Sequence, residues 1–349
     1  MKTILSVGRM IVGVLFIFSG LVKANDPLGL SYKMQEFFEV WNFHWLDHLT
    51  LAFSILMIVF EIVAGVAILL GWKMKVFSWL LLLLIVFFTF LTGYAYLSGK
   101  VRECGCFGDC IPLTAGQSFA KDLVLLLLIL FLFAFRDRIR PALSPTACAA
   151  LLTMTVLFSV SFQWHVLIHL PYVDCLPYRV GNNLPEKMKA PRGSVPDSSV
   201  ITLVYEKSGK KVEFGASAFP ADFDSTYHFV SRYDKLVRKG NAEPPIKDFD
   251  LFTATGGDTT QEVLAAKGYK LFLFMKEIGD ESPSWNKAMS LILTRAKSKR
   301  VPVFYITADF GNVQPWTVRQ GIASDIILLK CDATAIKTAA RANPGSLFR

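Results

Sequence analysis

The chain has 349 residues and a net charge of +9, and 53% of its residues are hydrophobic. Its mean hydropathy of +0.42 is too high for an ordinary soluble protein, and its length allows more than one domain. The Lys and Arg residues are dispersed and form no long basic block. Composition and charge therefore predict no nucleic-acid partner.

The apolar excess lies in the first half of the chain, in five windows long enough to cross a bilayer. These windows span residues 4–22, 49–70, 76–97, 123–135 with its flanks, and 147–167. From residue 170 onward the sequence is polar, and no window could span lipid. We therefore predict a helical membrane region in contact with the lipid bilayer, followed by a water-soluble domain.

Basic residues are divided unevenly between the loops on the two sides of this region. Residues 1–3, 71–75 and 136–141 hold six Lys or Arg in fourteen positions, whereas residues 23–48 and 98–121 hold five in fifty. By the positive-inside rule the N-terminus is cytoplasmic, and an odd number of helices places the C-terminal domain outside. In a bacterium this predicts a multi-pass inner-membrane protein with a periplasmic C-terminal domain.

The first outer loop contains an amphipathic pattern. Met34, Phe37, Phe38, Trp41 and Trp45 recur at spacings of three and four, which predicts an apolar stripe on one helix. Because Trp favours the membrane interface, we interpret this helix as an anchor in the headgroup layer. The alternative is a lid over a site between the membrane helices.

Three cysteines lie within seven positions of the second outer loop. Cys104, Cys106 and Cys110 stand on a glycine-rich segment, on the face of the membrane where disulfides persist. One interpretation is a disulfide between Cys110 and either Cys104 or Cys106, with the third thiol available for exchange. A Cys104 to Cys106 bond is disfavoured, because closing a ring across one residue strains it. The alternative is a structural disulfide that braces the loop.

Metal binding is a third interpretation of the same face. Two pairs of histidines have the i,i+4 spacing that lets one helix face present two rings to zinc or copper: His44 with His48, and His165 with His169. No Cys-x-x-Cys or His-Glu-x-x-His spacing accompanies them, so we predict no metal site.

A carboxylate, Glu61, falls near the middle of the second apolar window. A charge at that depth is costly enough to require a function or a specific partner. Helix rise places Arg9 of the first window about one turn from the depth of Glu61, within reach of a long side chain. We therefore predict an Arg9 to Glu61 pair, which either fixes helix packing or has a proton- or quinone-related role.

Several motifs occur together in the order found in a known family. They are Arg9 with Gly13, Phe18-Ser19-Gly20-x-x-Lys23, Asp26-Pro27-x-Gly29, Glu61-Ile62-x-x-Gly65 and Cys104-Gly105-Cys106-Phe107-Gly108. Over residues 1–170 this order resembles the DoxX family, in its MauE-like, redox-associated branch. The resemblance implies a four-helix membrane core with respiratory or thiol-redox partners and, in MauE itself, a part in maturing a disulfide-rich periplasmic protein. The fifth helix and the soluble domain are additions to that core.

The soluble region alternates strand and helix patterns, which is typical of a three-layer α/β domain with a partly parallel sheet. We predict a hairpin at residues 200–206 and 211–214, strands at 270–274, 301–307 and 326–330, and helices at 285–297, 313–321 and 333–342.

The order of these elements is similar to that of a thioredoxin-like fold. Asn343-Pro344-Gly345 lies where such folds carry the proline that precedes a late strand. Residues 276–284 occupy the place of the redox-active Cys-x-x-Cys and contain no thiol, and we predict that Cys331 is a core or strand-end residue. The chain ends where the last strand should run, which raises the hypothesis that the domain is truncated at its C-terminus.

We divide the chain into a four-helix membrane domain (residues 1–145), a fifth helix (146–170), a Pro-rich connector (171–197) and an extracytoplasmic thioredoxin-like domain (198–349).

The function that this organisation favours is thiol-disulfide or quinone-linked redox chemistry on the outer face. The candidate catalytic residues are Cys104, Cys106, Cys110, Glu61 and Arg9. A membrane quinone is the candidate electron acceptor, and a protein outside the cytoplasm is the expected partner. The alternative is a non-catalytic scaffold or accessory subunit that binds or matures such a partner.

Overall fold

A computed structural model describes most of the chain. The described residues are 2–99, 108–196, 198–216, 218–238, 240, 242–275, 286–341 and 346–348. Cys104 and Cys106, the segment 276–284 and Asn343-Pro344-Gly345 lie outside them.

The described part of the first half consists of long helices. They are α1 (Lys2–Ala24), α2 (Pro27–Val40), α3 (Thr50–Leu70), α4 (Met74–Ser98), α5 (Ala115–Ala134) and α6 (Pro145–Ile168). Among the described residues, five helices are long and apolar enough to cross a membrane, and all but α2 belong to them. The five predicted windows are confirmed.

Local sequence sets the ends of these helices. Gly71 and Gly99 adopt the left-handed conformation, with φ of 68° and 64°, and end α3 and α4. The Thr114 side chain forms a capping box at the start of α5, and the Ser144 side chain caps α6. We call one end of the bundle the domain side. The membrane helices begin or end there at Ala24, Thr50, Ser98, Ala115 and Ile168.

Helices α1 and α3 cross in close contact because glycines stand at their interface. A Cβ atom on Gly13 would lie 2.9 Å from the carbonyl oxygen of Gly65, and one on Gly65 would lie 2.9 Å from that of Gly13. Nearer the domain side, Gly20 packs against Ile62. Small residues at such positions let helix backbones approach closely within a membrane, and these contacts fix the register of α1 on α3.

Helix α2 lies against the domain-side part of α3. Asp26 caps its first turn by accepting a hydrogen bond from the Gly29 backbone N–H at 3.0 Å, and Pro27 occupies the first helical position. Ser54 Oγ of α3 donates to the Pro27 carbonyl at 2.7 Å, and Ser31 Oγ of α2 donates to Thr50 Oγ1 at 2.9 Å. These bonds hold α2 on the bundle.

The second half begins with a small, separate sheet. After the short α7 (Leu184–Lys187), strands β1 (Ser198–Lys207), β2 (Lys210–Gly215) and β3 (His228–Arg238) pair antiparallel in the order β2-β1-β3. The hairpin formed by β1 and β2 agrees with the prediction. Strand β3 was not predicted.

The last part of the chain is a three-layer α/β unit. Its elements are α8 (Thr260–Ala265), β4 (Leu271–Met275), α9 (Asn286–Ser298), β5 (Val303–Thr307), α10 (Phe310–Arg319), β6 (Ile327–Lys330), α11 (Ala333–Ala339) and β7 (Ser346–Phe348). The sheet order is β6-β5-β4-β7, with β7 antiparallel to three parallel strands.

Side chains along the strands alternate between the two faces of the sheet, and each face contributes to its own hydrophobic core. Leu273, Met275 and Tyr305 pack with side chains of α9 and α10 on one face of the sheet. Phe274 and Ile306 pack with α8 and α11 on the other face. Residues of opposite parity thus face opposite layers, as predicted for a sheet covered on both sides.

Candidate functional site

Glu61 is the centre of a buried ion pair within the membrane helices. Lys23 Nζ, near the end of α1, donates to both carboxylate oxygens of Glu61, at 3.0 and 2.8 Å. Ser19 Oγ, one turn earlier on α1, donates to Glu61 Oε1 at 2.8 Å. Only 4% of the Lys23 side chain and 3% of the Glu61 side chain are exposed. The two charges therefore compensate each other in a low-dielectric setting.

The predicted Arg9 to Glu61 pair is wrong. Arg9 lies at the opposite end of the bundle, where its Nη1 is 2.5 Å from the position that a Cβ on Gly71 would occupy. The contact between Gly13 and Gly65 sets the register of the antiparallel helices, so Arg9 faces the end of α3 rather than its middle. Lys23 takes the place of Arg9 as the partner of Glu61.

A second buried carboxylate stands across the bundle from Glu61. Asp122 of α5 is 1% exposed, accepts a hydrogen bond from Thr92 Oγ1 of α4 at 3.0 Å and pairs with Lys121 Nζ at 2.5 Å. A cavity of about 30 Å³ is lined by Ser19, Lys23 and Glu61 on one side and by Lys121 and Asp122 on the other. Its volume suffices for a water molecule, so the two pairs share a polar pocket.

A much larger apolar cavity adjoins this cluster. Its volume is about 460 Å³, and its walls are mainly aromatic and aliphatic side chains of α2, α3 and α4. Met34, Phe37, Phe38 and Trp41 of the predicted apolar stripe line it, together with Lys23. Helix α2 thus covers a site between helices, and this arrangement favours the lid alternative for that segment.

Cys110 is bonded to Cys175, with the two Cα atoms 4.9 Å apart. The predicted bond from Cys110 to Cys104 or Cys106 is therefore wrong, because Cys110 is already paired. Cys110 ends a short 3-10 turn, Gly108–Cys110, and Cys175 lies 65 residues later in the connector. Both residues are partly exposed.

The end of α1 holds the connector in place beside this disulfide. Asn25 Nδ2 donates to the Val173 carbonyl at 2.8 Å, and Asn25 Oδ1 accepts from the Val173 N–H at 3.1 Å. Val22 contacts the turn that carries Cys110, and the next residue of α1, Lys23, pairs with Glu61. The disulfide and the buried ion pair are therefore anchored to neighbouring residues of one helix.

Arg341 connects the α/β unit to the same end of the bundle. Its Nη1 donates to Asp26 Oδ2 at 3.0 Å and also pairs with Asp109, the neighbour of Cys110. Its guanidinium lies 6.0 Å from the ring centroid of Tyr32 in α2. Only 11% of the Arg341 side chain is exposed. One arginine thus contacts the lid helix and the cysteine loop.

The remaining described cysteines, Cys148 and Cys331, are buried free thiols. Burial raises the pKa of the Cys331 thiol to about 12, so that it stays protonated at neutral pH. Cys331 belongs to the sheet core, as predicted.

The histidine pairs show no metal arrangement. The rings of His165 and His169 stack with centroids 4.2 Å apart, and His44 lies 3.6 Å from Asp47. In the part of the chain that the structure describes, no three His, Cys, Asp or Glu side chains are grouped as ligands.

Sequence reasoning found Glu61 and Cys110 but missed most of their partners. A usable signal existed for Ser19 and Lys23, because their spacing of four places both on one helix face. Cys175 follows the end of α6 and so belongs to the same face of the membrane as Cys110. Neither Asp122 nor Arg341 carries a comparable local signal.

The helices and the charge pairs buried among them define a multi-pass membrane protein. Residues 1–135 match the family model described as Methylamine utilisation protein MauE, and residues 199–239 match a domain of unknown function, DUF8463. The first match covers α1 to α5 with Lys23, Glu61 and Cys110, and the second covers the small three-stranded sheet. Neither a curated protein nor a solved structure matches the chain.

Proposed function

We propose that this protein carries out thiol-disulfide exchange with a protein outside the cytoplasm and thereby takes part in its maturation. The observation that carries the proposal is the partly exposed Cys110–Cys175 disulfide on the domain side of a MauE-like bundle. Cys104 and Cys106 precede Cys110 by six and four positions and are the further candidate exchange thiols. The α/β unit, whose element order is similar to a thioredoxin-like fold and whose residues 276–284 contain no thiol, binds the partner.

The exchange step conserves electrons. A thiolate of the partner attacks one sulfur of the Cys110–Cys175 bond, a mixed disulfide forms, and the other cysteine leaves as a thiolate. A second partner thiol then attacks the mixed disulfide. The partner is oxidised to a disulfide, and Cys110 and Cys175 are reduced to two thiols.

Orientation supports this chemistry. Lys and Arg residues concentrate in the loops opposite the domain side, and by the positive-inside rule this supports an orientation with the disulfide outside the cytoplasm. In a bacterial inner membrane that face is the periplasm, where disulfides form and persist.

The test uses the full chain in lipid nanodiscs, mixed with reduced, denatured ribonuclease A as a dithiol substrate. We expect one round of exchange to consume two substrate thiols per Cys110–Cys175 disulfide and to produce a mixed disulfide on a non-reducing gel. The Cys110→Ser/Cys175→Ser variant should lose this reaction. The matched control is Cys148→Ala, which removes a buried thiol of α6 and should leave the reaction unchanged.

The scaffold function is the second candidate, and one observation favours it. The disulfide and the Asn25 hydrogen bonds fix the same short stretch of connector, as a structural brace would. An unchanged substrate thiol count, with the disulfide intact after incubation, would reject the exchange proposal in favour of the scaffold.

A further inference from the structure

The 460 Å³ cavity has the size and lining of a small-molecule site. Phe37 and Trp41 contribute to its wall from the α2 segment, Phe60 from α3, and Phe88 from α4. Flat aromatic faces of this kind suit a planar ring, which they can contact by offset stacking. Because α3 and α4 are membrane helices, a long apolar tail could leave the cavity directly into lipid.

The domain-side part of this cavity is polar. Lys23 and Thr92 line the cavity there, and Lys33 of α2 lies at the same side. A lysine ammonium has three N–H donors, and Lys23 uses two of them on the carboxylate oxygens of Glu61. Its Nζ lies 4.9 Å from the ring centroid of Phe88, another residue of the cavity wall. Within the described part of the chain the third donor has no hydrogen-bond acceptor, so it is available to an acceptor in the cavity.

The charges around this polar part cancel. Lys23 pairs with Glu61, Lys33 pairs with Glu36 at 3.0 Å, and Lys121 pairs with Asp122. A phospholipid phosphate brings a full negative charge, and among the described residues that line the cavity no uncompensated cation balances it. A neutral head group that accepts a hydrogen bond fits without this cost.

From these observations we propose that the cavity binds the head group of an isoprenoid quinone. One quinone carbonyl accepts a hydrogen bond from Lys23, the ring contacts the aromatic wall, and the isoprenoid tail extends into the bilayer. The α2 segment forms one wall of the site and also contacts α4, because the Trp41 ring centroid lies 6.2 Å from that of Phe90.

The redox role of this site rests on the proposed function. Reoxidation of two thiols to a disulfide releases two electrons and two protons, and one quinone takes up both to become a hydroquinone. Lys23 can give a proton to the reduced carbonyl oxygen, and the polar pocket that contains Glu61 and Asp122 can return one to Lys23.

Photoaffinity labelling tests the binding site directly. The full chain in phosphatidylcholine nanodiscs would be irradiated with an azido derivative of decylubiquinone, and the adducts mapped by mass spectrometry. We expect adducts in residues 30–41, 53–60 and 84–92, and we expect an excess of unmodified decylubiquinone to suppress them.

Two matched variants distinguish binding of the quinone in the cavity from its general partition into the lipid. Met57→Trp fills the cavity and should lower the adduct yield about tenfold. Leu127→Trp makes a comparable change at a lipid-facing position of α5 and should leave the yield unchanged. Adducts scattered over all membrane helices, equal yields in the two variants, or a phospholipid retained in place of quinone would each overturn the proposal.

The Cys110→Ser/Cys175→Ser variant keeps this test independent of the thiol chemistry. Quinone labelling should persist in this variant, whereas exchange with ribonuclease A should disappear. Loss of labelling in the intact protein therefore rejects the quinone site alone, and loss of exchange with intact labelling rejects the proposed function alone.

Discussion

Lys23 and Glu61 depend on each other because both are buried. Removing one partner leaves an uncompensated charge, which costs about 3–5 kcal/mol, whereas replacing both by apolar residues of similar size is often nearly neutral. We expect Lys23→Met and Glu61→Leu each to lower the free energy of unfolding by about that amount, and the double variant to cost far less than their sum. A double-mutant cycle on thermal unfolding in detergent measures this coupling.

The control for this cycle is the pair that the sequence suggested. Arg9→Met combined with Glu61→Leu should be additive, because the two side chains lie in different parts of the bundle. Additive costs for Lys23 and Glu61 would contradict the ion pair.

Cys331 gives a prediction about pH. Its thiol has a raised pKa in the folded chain, so folding favours the protonated form. The resulting contribution to the free energy of unfolding is complete below the thiol's ordinary pKa. It is lost as the pH rises toward about 12. At pH 8.5 we expect the thiolate fraction of Cys331 to be roughly a thousandfold below that of an exposed cysteine. Iodoacetamide should alkylate the Cys331 peptide in urea but not in the native protein, and equal labelling would contradict a core position.

The sequence identified the charged residue of the site more easily than its partner. A glutamate inside an apolar window is conspicuous because ionised groups are rare in lipid. Its partner depends on the register of two helices, and that register is set by contacts at Gly13, Gly20 and Gly65 that no periodicity reveals. The Cys110–Cys175 bond was missed for a related reason, since it joins positions 65 residues apart.

At the scale of the elements, the hydrophobic pattern predicted those helices and strands that are held in place by burial. The membrane helices and the two-sided sheet have strong apolar signals, and their bounds differ from the predicted ones by a few residues. Strand β3 has a weak signal because its described side chains are solvent-exposed, including Phe229 and Val230. Main-chain pairing with β1, rather than burial, holds it in the sheet.

The close contact between α1 and α3 predicts that the stability of the bundle depends sharply on the size of the side chain at Gly65. A Cβ on Gly65 would lie 2.9 Å from the Gly13 carbonyl oxygen and 3.0 Å from the Ile17 backbone nitrogen, so the helices must separate. We expect Gly65→Ala to destabilise the bundle by about 1–3 kcal/mol. Gly8→Ala on α1 is the matched control, because its Cβ would meet only Leu132 at 3.8 Å. A similar unfolding midpoint for the two variants would contradict this interface.

At the scale of the whole molecule, the Lys and Arg distribution predicts the orientation in the membrane. A reporter fused after Arg140 should be cytoplasmic, and one fused after Pro191 should be outside, because basic loops are retained in the cytoplasm. Enzymatic reporters active on only one side of the membrane measure both fusions. A cytoplasmic residue 191 would contradict the exchange proposal, since the disulfide would then be kept reduced.

Arg341 makes the α/β unit part of the membrane-proximal site. It contacts Asp26, which caps the lid helix α2, and Asp109, which precedes Cys110, so removing it affects two segments far apart in sequence. A hydrogen bond to a charged group contributes about 1.5–3 kcal/mol. For Arg341→Ala we therefore expect roughly tenfold or greater acceleration of hydrogen exchange in the first turn of α2 and around Cys110.

The control for this variant is Lys337→Ala on α11, the helix that ends just before Arg341. Lys337 lies 5.7 Å from the ring centroid of Tyr32, and such a contact contributes less than a buried ion pair. This variant should leave exchange at Asp26 and Asp109 close to that of the intact protein. Exchange in the middle of α3 should be unchanged in both variants, because the contacts between α1 and α3 do not involve Arg341. Unchanged exchange near Asp26 and Cys110 in Arg341→Ala would show that the α/β unit does not secure the lid helix and the cysteine loop.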